Sequence, residues 1–536
     1  MKRPLSFLSG GMVFALTISS LSSTLLLSSP ALSKPQPGEW VKYLNPIPKK
    51  DYSLNEAQDR QIKKKGFKSL VIQGAQPVSN REIGLFAEID KQSQEELNTL
   101  LDKPEVNGLS VILTWRELNP EEEKYDFSRL DSLLSLVQAH NKTLIVRVST
   151  CGADKNAESD TPDWVLKSEV KSVPFKDAQG KDHKMPVFWD STYLAKWGNF
   201  VQDFGKRYDK NPALHSVGIT GGGVMGGTMV VPELSNPLNK EKYKELEKLL
   251  TKEHGMSQRQ LVEHWKYVAD IFPKAFPTAR LNFDIDPPTP NRAGQDSLDE
   301  ISDYLIYRYG QRVYLTRQNL TDAKHGFDQY RVLLKFKADT LTGYQLDQTI
   351  TEEELAKLVK YAPEDGVSFI EVPAAMFDGK NEKIAKDLND LRSKLGYQLV
   401  SQKVSLPAEI KAGENFKAAF TFANIGSAGA MRPVRELDKD VAKSYRLQFE
   451  LRDESGKPVA LILHTPSVPT NTWAAGKAIS WEGDLKVAKQ LKPGEYSVFM
   501  SMVEPDSKRK LQILNGLSQE APKPESTLNV GKIKVQ

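Results

Sequence analysis

Carboxylates at the ends of apolar, strand-like runs are the residues of this chain whose type and placement could do chemistry. Glu371 lies inside the apolar run 368–372, SFIEV. Because burying an unpaired carboxylate is costly, Glu371 must be either paired or functional. As a functional group it could act as a nucleophile or a general base. As a structural group it would pair with an arginine, and Arg147 at the end of another apolar run is the candidate.

Other polar and aromatic side chains near the ends of such runs predict a ligand-binding surface. Aromatic rings offer flat apolar faces, and amides, carboxylates and guanidinium groups offer hydrogen bonds. The candidates are Trp115, Glu117, Arg147, Trp164, Trp189, Asp284, Asp286, Gln318 and Gln345. A structural role stays open for each of them, because tryptophans are often core residues and Asp286 followed by two prolines also fits a turn.

The elements that must position these residues alternate between strand and helix from residue 84 to residue 396. The strand-like runs are residues 84–89, 109–115, 143–148, 215–220, 280–284, 312–316, 342–346 and 367–372, with helical stretches such as 191–208, 257–272, 297–309 and 351–361 between them. Eight strands, each followed by a helix, predict an α/β fold of the (β/α)8 TIM-barrel class. A doubly wound open sheet would give the same alternation, but the strand count and the length favour the barrel. Ligands of such sheets bind at the carboxyl ends of the strands.

The two flanking regions have different patterns. Residues 34–83 are polar and irregular, which predicts a lead-in segment that packs on the barrel. After residue 397 the periodicity becomes that of short strands separated by Gly, Pro, Asn and Asp turns. We therefore expect residues 397–536 to form an all-β, immunoglobulin-like sandwich. Its strand candidates are residues 416–422, 445–451, 460–463, 478–481, 495–503 and 532–535.

The N-terminus predicts export to the periplasm or the extracellular space. Lys2 and Arg3 precede an apolar, Ser-rich stretch, and the small residues that follow suit cleavage after Ser33. A membrane anchor is the alternative, but the repeated Ser and Thr residues weaken the stretch as a spanning helix. Loss of this segment takes the 73 basic residues to 71, against 69 acidic ones, a balance of about +2. We expect no stable membrane span after its removal. The single cysteine, Cys151, excludes an internal disulfide.

Two stretches resemble glycoside hydrolase barrels, particularly the β-galactosidase-like ones. The first is the pattern Trp115-x-x-Leu118-x-Pro120-Glu121-Glu122-x-x-Tyr125-Asp126-Phe127 with Leu130-Asp131. The second, from residue 186 to residue 220, carries Trp189-Asp190, Tyr193, Arg207-Tyr208 and Asn211-Pro212. The resemblance implies the barrel fold, a carbohydrate substrate or ligand, and an accessory sandwich after the barrel.

The resemblance also implies two catalytic carboxyl groups, one at the end of the fourth strand and one at the end of the seventh. In this chain residues 218–228 after the fourth strand contain no carboxylate, and the first acid is Glu233 in the following loop. The seventh strand ends at Gln345, which can hydrogen-bond a sugar but cannot be a nucleophile. We therefore expect Glu371 to be the nucleophile or base and Glu233 the acid. An alternative count of the strands makes Glu371 itself the seventh-strand nucleophile.

The function class that these features favour is a glycoside-hydrolase-like protein acting on poly- or oligosaccharide. Two alternatives remain, a carbohydrate-binding barrel without catalysis and a cell-envelope scaffold. The near-neutral charge argues against nucleic acid as a partner. No cofactor or metal is expected, because the seven histidines show no zinc-binding spacing and the Gly221-Gly222-Gly223 run lacks the lysine of a phosphate loop.

Overall fold

The computed structural model of the chain describes residues 72, 75–151, 160–176, 182–222, 252, 257–288, 292–320, 327–431, 444–505, 507–517 and 520–536. Eight parallel strands close into a barrel, and the chain continues into two further sheets. Within these residues, every helix is too short or too polar to cross a membrane.

Strands β1 to β10 are, in chain order, Gly84–Ile89, Val106–Thr114, Thr143–Ser149, Ser172–Lys176, Asp182–Pro186, Leu214–Gly218, Leu281–Asp284, Val313–Leu320, Thr342–Leu346 and Phe369–Pro373. Strands β4 and β5 form a separate antiparallel hairpin, and the other eight close the barrel in the order β1-β10-β9-β8-β7-β6-β3-β2. Each sequence-predicted barrel strand overlaps one of these eight. The predicted TIM-barrel class is therefore confirmed.

Helices cover the outside of the barrel. In chain order, α1 to α10 are Gln94–Asp102, Trp115–Leu118, Ser128–Ala139, Asp163–Leu166, Ser191–Tyr208, Gln258–Ala275, Arg292–Tyr309, Phe327–Phe336, Glu352–Asp365 and Glu382–Arg392. Three of them begin with a capping box, in which a Ser or Thr side chain and a Glu or Gln three residues later satisfy each other's backbone amides. Short 3₁₀ turns lie at Gly310–Arg312, Ala374–Phe377 and Thr470–Thr472.

The barrel interior has an apolar lower layer. Successive residues of a strand point to opposite faces of the sheet. In a barrel, every second side chain therefore points into the interior, and those between them face the surrounding helices. Interior rings of Phe86 and Phe369 need the space beside two glycines, because a Cβ on Gly108 would meet the Phe86 ring at 2.7 Å and one on Gly343 would meet the Phe369 ring at 2.4 Å. The apolar side chains of the layer are Phe86, Ile145, Tyr314, Leu341, Phe369 and Met431. The buried His215 ring packs among them, 4.6 Å from the Phe86 ring and 5.2 Å from the Phe369 ring.

The region after the barrel forms two sheets that share one core. The strands β11 to β21 are Leu399–Ser405, Glu409–Ile410, Asn415–Asn424, Arg446–Arg452, Pro458–His464, Lys477–Lys486, Gly494–Val503, Lys510–Leu511, Ile513–Asn515, Pro524–Glu525 and Leu528–Val535. One sheet has the order β16-β13-β11-β19-β20 and the other β12-β21-β17-β14-β15, with β18 paired to β17. Phe420 of the first sheet lies 5.8 Å from Phe449 of the second, ring to ring. The predicted all-β class is confirmed, whereas the immunoglobulin-like topology stays a prediction.

These sheets close the lower end of the barrel. Met431, which follows β13, belongs to the apolar layer inside the barrel. Around it lies a buried ion network, in which Glu82 accepts hydrogen bonds from Arg509 at 2.5 Å and from the Tyr445 hydroxyl at 2.9 Å. Glu504 lies 3.4 Å from Arg280 and 3.5 Å from Arg509. Burial opposes ionisation of Glu82, but Arg509 and Arg280 outweigh it and hold its pKa well below the usual range.

Candidate functional site

The upper layer of the barrel interior, towards the carboxyl ends of the strands, is polar. It lies one inward-facing position above the apolar layer. Two strands show the pattern clearly: Glu88 follows Phe86 on the inner face of β1, and Glu371 follows Phe369 on that of β10. The layer is formed by Glu88, Ser110, Arg147, Asp284, Thr316, Gln345 and Glu371. We call this set the mouth layer, because it lies at the end of a TIM barrel where active sites form.

Glu371 and Arg147 form the centre of the mouth layer. Both carboxylate oxygens of Glu371 are bound by the guanidinium of Arg147, with Nη1–Oε2 at 2.5 Å and Nη2–Oε1 at 2.7 Å. The Ser110 hydroxyl donates a further hydrogen bond to Oε2. Both charged side chains are 0% exposed. Burial alone would lower the pKa of Arg147, but Glu371 and Asp284 outweigh it and raise that pKa. The structural alternative for Glu371 is thus the arrangement that the structure contains.

Two aspartates on the opposite side of this pair carry raised pKa values. Oδ2 of Asp284 lies 3.8 Å from Nε of Arg147, and its other oxygen has no hydrogen-bond partner among the described residues. Burial, followed by repulsion from Asp286 and Glu371, raises the pKa of Asp284 well above its usual range, against the pull of Arg147. Burial raises the pKa of Asp286 to about 6, and the charge of Arg317 offsets part of that rise. Burial and like charges therefore oppose ionisation of Asp284.

Glu88 is a mouth residue that sequence reasoning missed. It is partly buried, and its Oε2 lies inside the protein without a hydrogen-bond partner in the described structure. Burial and the neighbouring Glu371 carboxylate raise the pKa of Glu88 to about 7, while Gln345, Arg147 and Gln348 oppose the rise. The signal was available, since Glu88 is a lone carboxylate in the apolar strand GLFAEI, the same pattern that singled out Glu371.

The described end of the fourth barrel strand has no carboxylate, whereas the seventh, β9, is followed directly by Asp347, whose Oδ1 accepts hydrogen bonds from the backbone and hydroxyl of Thr349. After β6 the chain enters Gly221 and Gly222, where a Cβ on Gly222 would meet the Phe188 ring at 2.6 Å. Gly221 has a positive φ of 148° and its Cβ would meet the Trp197 ring at 2.7 Å. A carboxylate side chain has no room at either position. On β9, Gln345 is 1% exposed and its Oε1 has no partner among the described residues.

The predicted aromatic surface divides between the core and the edge of the barrel. Trp115 is 0% exposed and packs edge-on against Trp197 with ring centres 5.0 Å apart, so in this structure it is a core residue. Trp164 is partly buried, donates its indole N–H to the Asn119 carbonyl at 2.9 Å, and lies under the ammonium of Lys196. Trp189 is also partly buried, with its ring 4.9 Å from that of Phe188.

Of the remaining candidates, only the side chain of Glu117 is described. Glu117 belongs to the short helix α2 and pairs with Arg129 at 3.2 Å. Gln318 lies in β8. Glu233, the expected acid, lies outside the described residues. In the described part of the chain, no three His, Cys, Asp or Glu side chains are grouped so as to hold a metal ion.

Comparison with known proteins places the likeness on the first half of the barrel. Residues 86–222 match the family model Glyco_hydro_42, beta-galactosidase. Both stretches that carry the sequence resemblance lie inside this match, so the resemblance is confirmed. The match includes Glu88, Ser110 and Arg147 of the mouth layer but ends before Asp284, Gln345 and Glu371.

A curated relative shows the same partial likeness. The beta-galactosidase LacZ of Heyndrickxia coagulans is 30% identical over 133 residues, which cover 23% of this chain and 18% of that protein. Among solved structures, the catalytic domain of beta-amylase from Paenibacillus polymyxa is 11% identical and covers 59% of this chain and 99% of its own, with a TM-score of 0.42. The endo-beta-1,4-mannanase from Thermotoga petrophila is 9% identical and covers 85% and 98%, with a TM-score of 0.38.

Proposed function

We propose that this protein acts on poly- or oligosaccharide at the mouth layer of its barrel. One observation carries the proposal: buried polar groups from several strands converge at the carboxyl end of the barrel and leave hydrogen-bonding atoms unused. Oδ1 of Asp284, Oε1 of Gln345 and Oε2 of Glu88 are buried and have no partner in the described structure. Buried polar atoms normally have partners, so unused ones at a mouth favour a polyhydroxylated ligand. The match to a beta-galactosidase family supports a sugar as that ligand.

Hydrolysis would need a proton donor and an ionised carboxylate on either side of the glycosidic bond. In that reaction Glu371 would be the nucleophile or base, and Glu88 suits the donor, since its pKa of about 7 keeps a proton available near neutrality. Glu233 stays a second candidate for the donor. For Glu371 to react, it would have to exchange its bonds to Arg147 for contacts with the substrate.

Binding without hydrolysis is the second candidate function. It is favoured by the engagement of both Glu371 oxygens with Arg147 and by the absence of a carboxylate at Gln345 and at Gly221-Gly222. In this case the protein would hold a glycan at the mouth layer, and no variant of the mouth carboxylates would change a rate.

The test combines binding and turnover in one sample. The full-length chain is titrated calorimetrically with plant and cell-envelope oligosaccharides, and reducing ends are then counted in the same cells. Release of sugar that Glu371→Gln abolishes, while Glu95→Gln on the exposed face of α1 does not, would establish the hydrolase. Saturable binding without release would establish the binding function. If no glycan gave binding or sugar release, both the hydrolase and the binding function would be rejected, and a scaffold role would remain.

We further propose that the protein is exported, on the strength of its first 33 residues. Fractionation of cells expressing the full-length chain, followed by mass spectrometry of the N-terminus, tests this. Recovery of a chain beginning near Lys34 outside the cytoplasm is the expected result. An intact Met1 on a cytoplasmic protein would reject it.

A further inference from the structure

The mouth carries more acids than bases. Four carboxyl groups meet there: Glu88 from β1, Glu371 from β10, Asp284 from β7 and Asp286 just after β7. Among the described residues, the cations that act on them are Arg147 and Arg317. Arg147 is already bound through both terminal nitrogens to Glu371. Among the described residues, Asp284 therefore shares Arg147 with Glu371 at 3.8 Å, and Glu88 has no ion pair of its own, in surroundings where an isolated charge is expensive.

The unused atoms of the mouth layer share one hydrogen-bonding character. Oε1 of Gln345 accepts, and Oδ1 of Asp284 and Oε2 of Glu88 accept when their carboxyl groups are ionised. All three oxygens are buried without a partner among the described residues. Asp284 and Gln345 are each 1% exposed. An ammonium group carries three N–H donors and no acceptor, whereas a hydroxyl brings one donor together with its own lone pairs. A surplus of acceptors beside a surplus of acids therefore suits an ammonium group better than a hydroxyl.

We propose that the mouth layer selects amino sugars over neutral and acidic ones, and that Glu88 is the residue that sets this preference. The inference rests on the proposed carbohydrate function and specifies the substrate class of the same site. Glu88 is assigned the role because, of the two mouth carboxyl groups with an unused oxygen, it belongs to the less buried residue. Asp284 lies deeper, and Glu371 is committed to Arg147.

Proton linkage gives this selection a signature that a neutral sugar does not share. Glu88 faces Glu371 and Arg147 and lies beside the side chains of Gln345 and Gln348. Its pKa of about 7 means that it is largely protonated at pH 6. An ammonium group beside it would favour the ionised form, so the carboxyl O–H bond breaks and the proton leaves to the buffer. The heat of binding at pH 6 should then depend on the ionisation enthalpy of the buffer.

The experiment compares matched sugars on the full-length chain. Galactosamine, galactose and galacturonate, with their gluco counterparts, are titrated at pH 6 by ligand-observed NMR, and the binders by calorimetry in two buffers. We expect the amino sugars to bind roughly tenfold more tightly than the neutral ones, with the acid sugars weaker still, because like charges repel across a desolvated site. Only the amino sugars should release protons.

Variants assign the preference to Glu88. Glu88→Gln keeps the shape of the side chain and should bring amino and neutral sugars to equal affinity without proton release, whereas the exposed Glu95→Gln should leave both effects intact. Asp286→Asn, a second change at a less buried carboxyl, should weaken the preference in part. Equal binding of neutral and amino sugars by the unaltered protein would overturn the inference and leave the carbohydrate function standing. Binding of no sugar, in this series or among the oligosaccharides, would remove both. Tight binding of Ca²⁺ alone would assign the acceptors to a metal and also overturn the inference.

Discussion

Replacing Glu371 by Gln separates its two possible roles. In the structure Glu371 and Arg147 neutralise each other with neither side chain exposed, so Glu371→Gln leaves a buried guanidinium without its carboxylate. Removal of one partner from a buried ion pair destabilises a protein by about 3–5 kcal/mol. Here Asp284 lies 3.8 Å from Nε of Arg147, and repulsion from Glu371 is one of the causes that raise the pKa of Asp284. Glu371→Gln removes that repulsion, so Asp284 can partly replace Glu371 as the partner of Arg147. We therefore expect Glu371→Gln to lower the free energy of unfolding by about 3 kcal/mol, the lower end of this range.

A double-mutant cycle isolates the pair from other effects. Arg147→Met alone leaves Glu371 buried with the Ser110 hydroxyl as its remaining hydrogen-bond partner among the described residues, and should cost about 3–5 kcal/mol. The double variant Arg147→Met/Glu371→Gln removes both charges and should cost less than the sum of the two single changes by at least about 2 kcal/mol. Urea unfolding followed by tryptophan fluorescence and circular dichroism gives the midpoints, and agreement of the two probes checks that the transition is cooperative.

The contrary result is equally informative. Glu95→Gln on the exposed face of α1 should leave the free energy of unfolding unchanged within about 0.5 kcal/mol. If Glu371→Gln also changed the free energy of unfolding by no more than about 0.5 kcal/mol, the claim that the Glu371–Arg147 pair stabilises the fold would be refuted. If sugar release disappeared at the same time, Glu371 would be a working carboxylate whose contact with Arg147 contributes little to stability.

Three further predictions test other parts of the structure. Because the folded protein raises the pKa of Glu88 from 4.5 to about 7, it binds more protons than the unfolded chain between these values, and stability from this residue falls as the pH rises through that window. The free energy of unfolding of Glu88→Gln, measured in urea, should therefore rise by about 2–3 kcal/mol relative to that of the parent between pH 5 and pH 8. A difference between the two proteins that does not change with pH would contradict this. Arg509→Met leaves Glu82 buried beside Arg280 without its nearest cation and should cost about 3 kcal/mol in calorimetric unfolding, against about 1 kcal/mol for Tyr445→Phe. Leu461→Lys on the edge strand β15, where Leu461 is 58% exposed, should reduce concentration-dependent light scattering while changing stability by under about 0.5 kcal/mol.

The barrel could be predicted from the sequence because its strands are continuous apolar runs of the right length. Buried parallel strands show such runs in the local sequence, and turn residues bound them. The predicted runs 84–89 and 342–346 coincide with the observed β1 and β9. Most other boundaries moved by one to three residues, as at β2, which begins at Val106 instead of Leu109. Ends of elements depend on capping and on neighbouring strands, which local patterns describe less well.

The site was harder to predict because its composition depends on contacts distant in sequence. Trp115 lies in the core since Tyr193, Trp197 and Phe200, on a helix nearly eighty residues later, pack around it. The sequence offered no means to distinguish this from a ring at the mouth. The pairing of Glu371 with Arg147 was one of two expectations, and only the register of β3 and β10 around a closed barrel brings the two together.

The two ends of the barrel treat buried carboxylates in opposite ways, and this contrast is the strongest argument for function at the mouth. At the lower end, Glu82 is surrounded by Arg509 and Arg280 and by the Tyr445 hydroxyl, and its pKa is lowered. Its ionised form therefore contributes stability at neutral pH. At the mouth, burial raises the pKa values of Asp284, Asp286 and Glu88, and repulsion from neighbouring carboxylates adds to the rise for Asp284 and Glu88, so these groups reduce stability near neutrality. A chain that can compensate a buried acid at one end has the means to do so at the other. Surplus acids and unused acceptors at the mouth are thus poorly explained by folding, and a ligand that supplies donors or positive charge would account for them.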